Sequence, residues 1–65
     1  MNIDINKLNI AIAKSCITMK DLSDLSSVNV TTLSRIKTGK QLPSLRTVGK
    51  IAKALKIDVE ELIQE

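Results

Sequence analysis

Between Asn29 and Arg46 the chain collects groups that donate hydrogen bonds or carry positive charge: Asn29, Thr31, Ser34, Arg35, Lys37, Thr38, Lys40, Gln41, Ser44 and Arg46. No carboxylate interrupts the sequence between Asp24 and Asp58. Hydroxyls, carboxamides and a guanidinium suit an oxygen-rich partner, and a cluster of cations free of acids is the electrostatic footprint of polyanion binding. Charge alone also fits an ordinary solvated face, so the spacing of these residues has to decide. Catalytic groups are scarce by comparison. The chain has no histidine and one cysteine, Cys16, which therefore closes no intrachain disulfide and joins no zinc set. With no Lys or Arg immediately adjacent, Cys16 is expected to be a small core residue rather than a nucleophile. Glu60, Glu61 and Glu65 are expected to be helix-start partners and a solvated tail. No glycine-rich phosphate loop is present. The expectation is a binding protein and not an enzyme, with no metal, no cofactor and no small-molecule ligand.

Five elements have to position those groups. A 65-residue chain forms one domain, residues 1–65, and buries only about 60% of its unfolded surface. With no aromatic residues, the core must be Ile, Leu, Val, Ala and Met. One proline and two glycines leave little room for hairpins, and apolar spacings of three and four favour helices throughout. Asp4 caps a first helix with Ile5, Leu8, Ile12 and Cys16 inward. Thr18-Met19-Lys20-Asp21 has the form of a capping box and starts a second, with Met19, Leu22 and Ser26 inward. Asn29 caps a third, which Gly39 ends. Pro43-Ser44 opens a fourth on a stripe of Leu45, Val48, Ile51, Ala52 and Leu55. Asp58 starts a short fifth with Val59, Leu62 and Ile63 inward. The spacing predicts an all-α, compact five-helix bundle.

Only Ser27 and Val28 separate the second helix from the Asn29 cap. So tight a turn forbids an antiparallel pair and makes the helices cross steeply, with Val28 plugging the corner; this is helix-turn-helix geometry. At 100° per residue the third helix turns Thr32, Leu33 and Ile36 inward and Val30, Thr31, Ser34, Arg35 and Thr38 outward. Arg pairs with guanine O6 and N7, Ser and Thr bond base edges or phosphates, and the Val and Thr methyls meet the thymine methyl. The β-branched residues cost helix propensity, a few tenths of a kcal/mol each relative to Ala.

The stretch MKDLSDLSSVNVTTLSRIKTGKQLPSLRTVGKIAKALKIDVEEL resembles the phage-repressor, Cro-like (XRE-type, lambda-repressor-like) helix-turn-helix family. The likeness rests on Thr18, Leu22-Ser23, Val28-Asn29, Leu33-Ser34-Arg35-Ile36, Gly39-Lys40, Pro43-Ser44 and Ile51-Ala52-Lys53-Ala54-Leu55 in order. It implies a sequence-specific regulator of double-stranded DNA, usually a repressor, dimeric on a palindromic operator. By the same resemblance the base-reading positions fall on Asn29, Val30, Thr31, Ser34 and Arg35. The phosphate-contacting positions fall on Thr18, Met19, Lys37, Thr38, Lys40, Gln41 and Ser44. Helix N-termini at Thr18 and Ser44 suit phosphate on physical grounds as well. The chain departs from the pattern at Ser27, where glycine is usual, and at Ser23, where alanine is usual. It departs again at Ile12 and Lys37, where an Arg–Glu pair is common.

Ile10 and Leu25 lie off the apolar stripes. They are either scattered surface residues or, with the last helix, contacts for a second copy in a homodimer. The alternative function is a protein-interaction module on the same fold, an antirepressor or antitoxin-like subunit. The longest apolar run, Ile10–Ala13, is far too short to span a membrane. Together with the single thiol, this makes a cytoplasmic protein the expectation.

Overall fold

A computed structural model describes residues 2–64; Glu65, read as a tail residue from the sequence, lies outside them. Four α-helices carry the architecture: α1 (Ile5–Ser15), α2 (Met19–Ser26), α3 (Val30–Lys37) and α4 (Leu45–Leu55). A single 3₁₀ turn (Val59–Leu62) follows, and β1 (Asn2–Ile3) pairs antiparallel with β2 (Ile63–Gln64). The expected fifth helix is therefore a correction. Asp58 and Glu61 do form the reciprocal cap, but Ile63 is already extended and pairs with Ile3. The Asp4 amide also donates to the Leu62 carbonyl at 2.7 Å. Backbone pairing with the start of the chain ends the turn after one revolution.

The helix starts follow side-chain chemistry. Asp4, Thr18, Asn29 and Ser44 each accept a bond from a backbone amide in the first turn of the helix they precede, and such caps contribute typically about 1 kcal/mol each. The ends are less ordinary. Cys16, Ser27 and Lys56 all take left-handed backbone, with φ of 55°, 60° and 58°, a conformation that costs a residue with a Cβ about 1 kcal/mol or more. This overturns the core assignment of Cys16. As the left-handed C-cap of α1 its thiol is exposed, and its Sγ lies 3.7 Å from the Ala13 carbonyl.

The interior is aliphatic, and each segment contributes one fully buried large residue: Leu8, Leu22, Ile36, Ile51 and Leu62. Val28 is buried at the corner between α2 and α3. The stripe of α4 buries Val48, Ile51, Ala52 and Leu55, whereas Leu45 is 72% exposed. At the first position of α4, Leu45 precedes the part of the helix that the rest of the core covers. Val59, at the first position of the 3₁₀ turn, is exposed as well.

Two contacts seat the first helix against the end of the third. Asn9 Nδ2 donates to the Lys37 carbonyl at 3.4 Å and to the Ile5 carbonyl at 3.0 Å. Gly39, at φ 81°, lies where a Cβ would come within 3.0 Å of Ile5 Cδ1. The two glycines thus predict opposite responses to one substitution. Gly39→Ala should destabilise the fold by at least the 1–2 kcal/mol of a strained left-handed residue, roughly. Gly49→Ala, with nothing within 4 Å of the added carbon, should stabilise by about 0.5–1 kcal/mol. Ser27→Gly should likewise stabilise, by up to about 1 kcal/mol. Thermal melts would read each as a shift of about 4–8 °C per kcal/mol in a domain of this size.

Candidate nucleic-acid interface

The turn between α2 and α3 is built from its own side chains. Ser26, buried, donates its hydroxyl to the Leu22 carbonyl at 2.6 Å and accepts from the Val28 amide at 3.3 Å. Ser27 takes the left-handed position and Asn29 starts α3, its Oδ1 accepting from the Thr31 amide at 2.8 Å. Leu33 and Ile36 anchor the inner side of α3, and Thr32 is half-buried. Asn29, Thr31, Ser34 and Arg35 are exposed, and so is Val30 at 42%. Four of the five residues assigned to base reading, Val30, Thr31, Ser34 and Arg35, therefore lie on the solvent-facing side of an eight-residue helix, with Asn29 exposed as its cap. An α-helix with its side chains is about 10–12 Å across, a thickness that a major groove about 12 Å wide admits.

The hydrogen bonds sort these groups by what they have left to offer. Asn29 commits its carbonyl oxygen to the cap, so its outward group is the NH₂, a donor. Arg35 is donor-only, and the hydroxyls of Thr31 and Ser34 rotate to suit a partner. Thr38 differs. Its hydroxyl sits 3.0 Å from the Ser34 carbonyl and 3.2 Å from the Arg35 carbonyl, donating inward. In that arrangement it offers a phosphate oxygen no proton. Lys37 is half-buried, and its carbonyl takes the Asn9 bond.

After α3 the chain turns at Gly39, and the amides of Lys40 and Gln41 both donate to the Arg35 carbonyl, at 2.8 and 3.3 Å. That double closure of the helix end holds the exposed Lys40 and Gln41 side chains next to α3. Thr18 and Ser44 cap the third amide of α2 and of α4, from Asp21 at 3.0 Å and Thr47 at 3.2 Å. In both helices the first two amides have no intrahelical acceptor.

Those two helix starts also add two residues to the phosphate-contacting set read in the sequence. Lys20 is the second residue of α2 and Arg46 the second of α4, and both are exposed. A cation there faces the positive end of the helix dipole, a position that ordinarily favours acids. An anion lying across each start would satisfy the open amides and the cation together. The signal is legible once the capping residues are placed, since Thr18 and Ser44 put a basic residue two positions later in both cases.

Elsewhere among the described residues, no three of His, Cys, Asp and Glu gather into a set able to hold a metal ion, and no helix is long and apolar enough to cross a membrane.

The helix-turn-helix family model matches residues 17–62, the span from the approach to α2 through the 3₁₀ turn. No curated protein matches the chain. Among solved structures, the restriction-modification controller protein C.AhdI from Aeromonas hydrophila superposes with a TM-score of 0.86 over 91% of this chain and 89% of that one. At 24% identity this is a likeness of fold. A capped α2, a three-residue turn and an outward-facing α3, matched over residues 17–62 by the family's own pattern, place the chain in the XRE-type helix-turn-helix family of DNA-binding transcription regulators.

Proposed function

We propose that the protein is a sequence-specific regulator of double-stranded DNA that inserts α3 into the major groove and represses by occupying its site. The observation that carries this reading is the exposed side of α3, acid-free and apolar only at Val30, flanked along the chain by two helix starts that each carry a basic residue beside open amides. In this arrangement Asn29, Val30, Thr31, Ser34 and Arg35 read base edges. Thr18, Met19, Lys37, Lys40, Gln41 and Ser44 grip phosphates, joined by Lys20 and Arg46. Thr38 holds the last turn of α3 and leaves the phosphate contact to its neighbours. The chemistry is recognition rather than catalysis, because the site holds hydroxyls, an amide and a guanidinium with no general base beside them.

Donor polarity narrows the sequence preference. The groups that Asn29, Thr31, Ser34 and Arg35 can offer include two committed donors and no carboxylate. They suit acceptors, guanine O6 and N7 and thymine O4, while Val30 and the Thr31 methyl suit the thymine methyl. A half-site with guanine and thymine on the strand facing α3 is expected.

A dimer on a palindromic operator completes the reading. Two exposed apolar residues compete for the contact, Ile10 at 54% and Leu25 at 63% exposure. Ile10 lies on a shallow groove bordered by Lys7, Lys14 and Glu61, a rim of both signs that a two-fold axis can make self-complementary. The charged residues that border Leu25 are all lysines, which repel their own copy. The last turn is a poorer candidate than its sequence suggests, since Leu62 is fully buried in the core.

Selection from a randomised duplex pool should enrich half-sites about 10 base pairs apart, with steep salt dependence; failure to enrich any sequence would reject the reading. On the selected site, Arg35→Ala should cost about 1–3 kcal/mol and relax preference at one base pair. Lys40→Ala should weaken all sequences alike and lower the salt slope by about 1. Equal losses on specific and random DNA for both variants would overturn the division of roles. Asn29→Ser keeps a capping oxygen and removes the NH₂, so its melting should stay within about 0.5 kcal/mol of the parent while binding preference at one position is lost.

A further inference from the structure

The ends of α2 and α4 farthest along the chain from Thr18 and Ser44 meet at a second surface with its own chemistry. Leu25, Ser26, Lys50, Lys53, Ala54 and Lys56 line a groove of about 410 Å³. Leu25 is among the more exposed large apolar residues of the molecule, and Ala54, half-buried, continues the apolar floor. Lys50, Lys53 and Lys56 are all exposed. The two acids of α2 do not line this groove. Asp21 turns its carboxylate back onto the Thr18 amide at 3.3 Å.

The arrangement works against the stability of α4. Arg46, Lys50 and Lys53 follow at spacings of four and three along one face, and like charges at those spacings destabilise a helix. Lys53 and Lys56 gain from the negative end of the helix dipole, but Lys50, in the middle of α4, does not. No carboxylate in the segment offsets any of them. An exposed leucine set among cations asks for two things at once, apolar contact and negative charge. Duplex DNA supplies only the second, and another copy of this surface supplies lysines against lysines.

We propose that the α2–α4 groove is a docking site for an acidic, leucine-bearing segment of a partner protein. The partner's apolar side chain covers Leu25 and Ala54, and its carboxylates meet Lys50, Lys53 and Lys56, whose aliphatic stems extend the apolar floor. This surface uses none of the residues assigned to DNA, so it goes beyond the DNA-binding reading and stands or falls separately.

The test uses the full chain and a synthetic peptide with leucines at helical spacing among aspartates and glutamates. Two further probes are an equally acidic peptide with alanine for leucine and a random-sequence duplex. Amide chemical shifts should move at Leu25, Lys50, Lys53, Ala54 and Lys56 with the leucine peptide, and the alanine peptide should bind more weakly. The double variant Lys50→Glu, Lys53→Glu should weaken the leucine peptide by about tenfold or more at low salt, and Leu25→Ser should weaken it without changing its salt dependence. Both sets of substitutions are on exposed positions, and circular dichroism checks that the helices persist. Duplex affinity should stay the same in Leu25→Ser. Equal binding of both peptides, shifts that centre on α3, or no shift at any concentration would overturn the proposal. So would a loss of duplex binding in Leu25→Ser matching the loss of peptide binding, which would assign the groove to DNA.

Discussion

The Ser26 hydroxyl donates to Leu22 while accepting from the Val28 amide, so one buried side chain closes α2 and holds the first residue of the next segment. Ser27 then supplies the left-handed step, and Val28 fills the corner. Because Val28 and Leu22 are both buried in the core, α3 leaves this turn in one direction. Every outward residue of α3 inherits its position from that direction. The strain of a left-handed serine at the centre of the turn is tolerated because the buried contacts on either side over-determine it.

The far end of α3 is held by different means. Asn9 and Ile5 of α1 meet the last turn and Gly39, and the Arg35 carbonyl gathers the amides of Lys40 and Gln41. The first helix therefore acts as a brace for the interface without lying in it. In much of the family the matching positions pair an Arg with a Glu. Here Ile12 and Lys37 stand there, and an amide-to-carbonyl bond joins the two helices instead. Losing the Arg and the Glu together strands neither of them, Lys37 brings a half-buried cation of its own, and a neutral hydrogen bond does not weaken with salt as a surface ion pair does.

Charge is distributed by the same economy. Acids occupy the capping boxes at Asp21 and at Asp58–Glu61, where they satisfy backbone amides. The stretch from α3 through α4 carries cations without acids, and these divide between two places: the helix starts and loop around α3, and the outer side of α4 beside Leu25. A single basic segment in the chain thus becomes two surfaces with different neighbours, one polar and one partly apolar.

Helix starts are legible in the sequence because a cap is a local bond: Asp4, Thr18, Asn29 and Ser44 each act on an amide three residues away or nearer, whatever the rest of the molecule does. The inward sides of α2 and α3 are legible for a similar reason, since periodicity alone separates Leu22, Leu33 and Ile36 from the polar residues between them. The tight turn and its Val28 plug follow from chain length. Tertiary structure decides the rest. Cys16 leaves the core because α1 ends one residue earlier, Leu45 because no neighbour reaches the first turn of α4, and the fifth helix is cut to one turn by backbone pairing across nearly the whole chain. The grouping of Leu25 with Lys50 and Lys53 is likewise invisible in sequence, as it depends on how α2 packs on α4. Burial depends on what lies opposite a side chain, and a one-dimensional pattern does not contain its neighbours.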